Sequence, residues 1–238
     1  MLIIDDDRPS DSPYVERVWR AHSEGGGSFV SIAESRWEMV VTRSQGIVTM
    51  TVRGPETRPT RMTYPADAEW LGIRFKPGTF MPSHPTRALV DGHITLPESA
   101  TGRFWLNGSV WQVPDYENAD TFVEWLRRDR QIVVDPAISA ALRGESSAAT
   151  QRTLQRRFVH VTGVTQGAAR QIERARYATL ILRRGASIAE TTYEAGYFDQ
   201  PHLTRSLKRL VGQTPAELRE RQSAELSFLY KTRPHAKP

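Results

Sequence analysis

The sequence predicts a multidomain protein of α and β class: an antiparallel β barrel or sandwich over residues 1–117, an all-α region over 118–222 and a short tail over 223–238. Three observations lead there. Alternating apolar and polar residues fill the first half, helical spacing with explicit caps fills the second, and charge is unequally shared. Residues 118–238 carry 20 Lys and Arg against 12 Asp and Glu, whereas residues 1–117 carry 12 against 15. A chain of 238 residues has room for two ordinary domains.

In the first half, Met1–Ser12 with its three consecutive aspartates reads as a mobile tail. The stretches "SFVSIAE", "WEMVVTR", "GIVTMTVRG", "RMTYP" and "EWLGIRFKPG" then alternate, with turn residues between them, as strands do. Trp37, Met39 and Val41 share one strand face; Val48, Met50 and Val52 another; Leu71, Ile73 and Phe75 a third. Closing such strands into a barrel or sandwich buries those faces. "QVPDYENAD" reads as the linker, which places the domain boundary near Tyr116–Asp120, and "TFVEWLRRDR" begins a helix.

The second half is punctuated by capping residues. Asp135-Pro136 offers an N-cap and first-turn proline for a helix to about Arg143, which Gly144 ends. "GAARQIERARYATLILRRG" reads as one helix with Ala169, Ile172, Ala175, Ala178 or Thr179 and Leu182 on its buried face. Ser187-Ile188-Ala189-Glu190 is a capping box, and Gly196 closes the short helix it opens. Asp199 caps the next helix, Pro201 sits in its first turn and Gly212 ends it. Thr214-Pro215-Ala216-Glu217 is a second capping box. At the far end, "LSFLY" reads as a last apolar segment and "KTRPHAKP" as a disordered basic tail.

Leu203, Leu207, Leu210 and Val211 follow the spacing of one helix face, so Arg205 and Arg209 point away from the core. Subtracting 49 from each number aligns "TQRTLQRRFVHVTGVTQ", Thr150–Gln166, with Asp199–Pro215 without a gap. Leu154 then matches Leu203, Arg156 matches Arg205, Gly163 matches Gly212 and Thr165 matches Thr214. The unit is a helix-turn-helix present twice, with one helix between the copies. "ALRGESSAAT" makes the turn of the first copy weakly marked.

The segment from roughly Asp120 to Arg221 resembles the DNA-binding domain of the AraC/XylS family of bacterial transcription regulators. "SIAETTYEAGYFDQPHLTRSLKRLVGQTPAEL" is similar to that family's signature, with Thr192 in place of a common alanine and Leu203 and Leu207 in place of the usual aromatics. The resemblance implies that both recognition helices enter successive major-groove turns of double-stranded DNA. Base contacts then fall to Arg152, Gln155 and Arg156 in the first helix, and to Gln200, His202, Thr204 and Arg205 in the second. Arg157, Lys208 and Arg209 are implied phosphate contacts. The side-chain chemistry is suitable: Arg reads guanine O6 and N7, and Gln reads adenine N6 and N7. His202 also reads as a solvated helix-surface residue, as does His160. The family further implies a cupin-like, effector-sensing amino-terminal domain and a role such as activator.

Other classes lack their residues. His84 and His93 stand apart without the partners a metal-binding cupin needs, so no metal or cofactor is expected. The chain has no cysteine, and no nucleophile, phosphate-loop or zinc-protease motif is present, so no catalytic residue is assigned. Trp37, Trp70, Trp105 and Trp111 suit either a ligand cavity or plain core, and no effector-contact residue is named. With no long apolar segment or signal peptide the reading is of a cytoplasmic protein without membrane contact. RNA polymerase, a small-molecule effector and a second copy bound through the amino-terminal domain are the partners it allows. Two alternatives stay open: a barrel-type enzyme or carrier with a helical interaction module, and a constitutive DNA binder whose barrel only dimerises.

Overall fold

The computed structural model describes residues 1–142 and 150–220. The first half holds β1 (Leu2–Pro9), β2 (Val15–Ser23), β3 (Gly27–Ser31), β4 (Glu38–Ser44), β5 (Ile47–Arg53), β6 (Thr60–Tyr64), β7 (Ala68–Phe75) and β8 (Thr79–Phe80). After a 3-10 turn at Thr86–Leu89 come β9 (His93–Leu96), β10 (Glu98–Ala100), β11 (Arg103–Leu106) and β12 (Ser109–Gln112). Helix α1 (Ala119–Arg128) and β13 (Val133–Val134) precede α2 (Pro136–Leu142), α3 (Gln151–Thr162), α4 (Gln166–Arg183), α5 (Ile188–Glu194), α6 (Gln200–Leu210) and α7 (Pro215–Arg219). The end of α2 near Arg143, the Gly144 stop, most of "ALRGESSAAT", "LSFLY" and the basic tail lie outside the described residues.

By contact, the chain divides otherwise than at the boundary expected near Tyr116–Asp120. One compact unit comprises Met1–Gly26, Arg36–Pro55 and Pro65–Gln166; the other comprises Gly27–Ser35, Glu56–Tyr64 and the chain from Gly167.

The first unit is built on a six-stranded antiparallel sheet in the order β1-β2-β7-β4-β5-β9. The order has two ends, so the sheet is open, and the expected barrel or sandwich resolves to the sandwich. Register explains its core. Val18, Ile73, Met39, Val52 and Ile94 are successive cross-strand partners and form one apolar row, with Leu71, Val41, Met50 and Leu96 forming the next. Alternation along each strand sends these side chains to one face. There they join Phe104 and Leu106 of β11 and Phe122, Val123 and Leu126 of α1 in a single buried cluster. On the opposite face Trp19 lies across its partner Gly72, where a Cβ would come within 2.0 Å of the indole, so that residue has to be glycine.

Two expectations change in this unit. The first residues are strand β1 and no free tail, because their aspartates meet polar side chains of β2: Asp7 accepts from Arg17 at 2.6 Å, and Asp5 meets His22 Nδ1 at 2.6 Å. The tryptophans also separate. Trp37 is core, stacked on Phe75 with centroids 3.8 Å apart, and Trp111 packs edge-on against Phe122, whereas Trp105 is exposed.

The second unit joins α4 to α7 with a two-stranded ribbon, β3 paired with β6. Ile32 and Ala33, just past β3, belong to the buried cluster that contains Ile172, Ala175, Ala178 and Leu182 of α4 and Leu203, Leu207 and Leu210 of α6. The ribbon's exit is fixed by polar contacts as well. Ala33 N–H donates to Leu210 O at 2.9 Å, Arg176 donates to Ala33 O at 3.2 Å and pairs with Glu34 at 3.1 Å, and Ser35 donates to Glu173 at 2.8 Å.

Candidate nucleic-acid interface

In the first unit α2 and α3 form the first helix pair. Asp135 caps α2, accepting from the amides of Ala137 at 2.9 Å and Ile138 at 3.2 Å. Thr150 caps α3 by accepting from Thr153 N–H, and Gly163 ends it in the left-handed conformation at φ 79°, where a Cβ would be strained. Phe158 and Val161 are buried, which turns Arg152, Gln155 and Arg156 outward. Gln155 also lines a cavity of about 100 Å³ with Leu154, Phe158 and Ile138. Arg157 is committed locally, because its Nε and Nη2 donate to both oxygens of Asp135 at 2.9 and 3.0 Å. His160 is exposed with its ring edge-on to Phe80.

In the second unit both capping boxes form. Ser187 and Glu190 exchange bonds at the start of α5, and Thr214 and Glu217 do so at the start of α7. The amide and hydroxyl of Ser187 hold the Glu190 carboxyl below its ordinary value, and Thr214 does the same for Glu217. Gly196 at φ 68° makes the turn, and Arg174 braces it by donating to Gly196 O at 3.4 Å with its guanidinium over the Tyr197 ring. Burial raises the Tyr197 phenol above its usual range, so its hydroxyl stays neutral in its bond with Ser206 at 3.1 Å.

Helix α6 starts at Asp199, which accepts from His202 N–H at 2.6 Å, and Pro201 occupies the first turn. Leu203 and Leu207 are completely buried, so truncating either to Ala should cost about 2–5 kcal/mol. That anchors the opposite face. Gln200, Arg205, Lys208 and Arg209 are exposed, Thr204 is half-buried with its hydroxyl on Gln200 O, and His202 is half-buried with its ring edge-on to Tyr197. Arg209 donates to Gln171 at 2.6 Å. Among the described residues Arg152, Arg156, Arg205 and Lys208 have no hydrogen-bond or ion-pair partner for their side chains. Each helix pair therefore presents cations without a hydrogen-bond or ion-pair partner among the described residues, although Lys208 lies close enough to Glu217 to lower its carboxyl.

Sequence reasoning overlooked Phe198, whose side chain is 92% exposed between buried Tyr197 and the helix cap. The signal was there: two adjacent aromatics entering a helix in extended backbone point to opposite sides, and only one can be core.

Residues 145–221 match a family model described as a helix-turn-helix domain, and residues 9–95 match a domain of unknown function (DUF6597). No curated protein matches the chain. Among solved structures, ToxT from Vibrio cholerae is similar at 9% identity and a TM-score of 0.39, over 84% of this chain and 95% of that one. ToxT bound to (E)-4-(8-methylnaphthalen-1-yl)but-3-enoic acid is similar at 10% identity with the same TM-score, over 84% and 96%. Among the described residues no helix is long and apolar enough to cross a membrane. With the family model covering α3 to α7, and with the caps, turn glycine and buried leucines of the second pair in place, residues 145–221 belong to the AraC/XylS type of helix-turn-helix domain.

Proposed function

We propose that the chain is a sequence-specific DNA-binding transcription regulator that reads double-stranded DNA with α3 and α6. The observation that carries this is the equivalence of Arg156 and Arg205. They occupy matching positions in the two copies, both are exposed, and neither has a side-chain partner among the described residues. An unpaired guanidinium on a helix anchored by buried side chains suits bidentate recognition of guanine.

In this reading Arg152, Gln155 and Arg156 contact bases from α3, and Gln200, His202, Thr204 and Arg205 from α6. Lys208 contacts phosphate. Arg157 and Arg209 do so with the N–H groups that their bonds to Asp135 and Gln171 leave over. The amino-terminal β domain carries control by a small-molecule effector and offers a surface for a second copy; contact with RNA polymerase completes the scheme. A ligand that shifts both melting temperature and DNA affinity is the mark of that control.

Selection of bound sequences from random duplex DNA tests the proposal. A defined motif should emerge, with affinity falling steeply as salt rises. A chain that is folded and enriches no sequence is not such a regulator.

A further inference from the structure

Phe198 is the last residue before the Asp199 cap of α6, and Asp199 lies in extended backbone at φ −152° and ψ 170°. Side chains alternate across such backbone, so Tyr197 turns into the core cluster while Phe198 turns out of it. A phenyl ring left in water costs the burial free energy that any apolar partner would return. Its neighbours say what that partner is. Gln200 follows within about 8 Å of chain, at two Cα steps of about 3.8 Å each. Along α6 the ionisable side chains are His202, Arg205, Lys208 and Arg209, and no carboxylate lies on the helix. An apolar ring at the mouth of a cationic helix face matches a polyanion whose charges are separated by apolar edges.

We propose that Phe198 is a DNA-contact residue, packing on a deoxyribose ring or thymine methyl at the edge of the half-site read by α6. The proposal rests on the reading of α6 as a recognition helix. The contact adds affinity without releasing a counterion, which distinguishes it from the cations around it.

The test measures affinity of the full chain for its selected DNA across a salt series, for wild type, Phe198→Ala and Phe198→Leu. The side chain is outside the core, so both variants fold, as circular dichroism verifies. The Ala variant should bind about five- to tenfold more weakly with an unchanged salt slope, and the Leu variant should recover most of the loss. Replacing thymine by deoxyuridine along the site separates the two DNA edges. If one replacement weakens wild type and not Phe198→Ala, the contact is a methyl; if none does while the Ala loss persists, it is the sugar. Wild-type affinity in the Ala variant overturns the assignment alone, and if that variant has also lost self-association the ring belongs to a protein contact. A wild-type chain without DNA affinity overturns this inference together with the function on which it rests.

Discussion

Ala33 donates its amide to the carbonyl of Leu210 at 2.9 Å, which bonds a segment from the first half of the sequence to the last turn of α6. Ile32 beside it is 2% exposed within the cluster that also contains Leu203 and Leu207. The second helix-turn-helix is therefore not made from residues after 118 alone.

A fragment of residues 118–238 should consequently be less stable than the whole chain and should lose the part of the DNA site read by α6. Ile32→Ala in the full chain should lower stability by about 2–5 kcal/mol, the cost of emptying a buried site. Thermal unfolding of the variant and DNA binding by the fragment measure both. A fragment that binds the whole site like the intact chain would show that the ribbon contributes no support.

The two capping boxes predict an acid dependence with a definite sign. Glu190 and Glu217 titrate below the ordinary value of 4.5 because the folded state bonds their charged forms. Their contribution is fully present above that value and fades as pH falls through the lowered ones. The melting difference between wild type and Glu190→Ala should thus be constant from pH 7 to about pH 5 and shrink below it, as a series of melts across that range would record.

Tyr116 predicts the opposite end of the scale. Burial, then the neighbouring Asp6 carboxylate, push its phenol up to about 12, although Arg8 and Arg20 lie over the ring. The neutral phenol's contribution is present below about 10 and is lost as pH climbs from there towards 12. In a phenolate absorbance titration Tyr116 should ionise in a late phase that Tyr177 and Tyr197, also raised, share, and Tyr116→Phe should remove one tyrosine's absorbance from that phase.

Most of the helical half was legible because its signals are local. Asp135, Ser187, Asp199 and Thr214 announce helix starts by their own chemistry, and Gly163 and Gly212 announce ends, whereas the Thr150 cap lies in the weakly marked junction of the first copy. The five strands expected in the first half also formed, three of them, β4, β5 and β7, in the main sheet and two, β3 and β6, as a ribbon of the second unit. Strand β1 was hidden because Asp5, Asp6 and Asp7 look like solvated chain until Arg17, Arg20 and His22 are seen opposite them on β2. The ribbon's place beside α6 depends on contacts across more than a hundred residues, which no local pattern encodes. Arg157 reads from sequence as one more surface cation, and only the fold brings Asp135 to it.

Two recognition helices with different side chains should produce an asymmetric DNA site. The portions read by α3 and α6 should differ in sequence and be spaced by about one helical turn, roughly 10 base pairs. Sequencing of selected DNA measures this. A perfect palindrome with one short half-site for each chain would mean that only one helix pair reads bases.

The most direct test of base reading compares Arg156→Ala, Arg205→Ala and Lys208→Ala in binding profiles over every single-base variant of the selected site. Each arginine replacement should cost about 1–3 kcal/mol and relax preference at one or two base pairs in its own half-site, with the two positions about a turn apart. The lysine replacement should weaken all sequences about equally and reduce the salt slope by about one unit. If Arg205→Ala remains folded and keeps the affinity and base preferences of the wild type, α6 does not read DNA and its cations are a solvated surface.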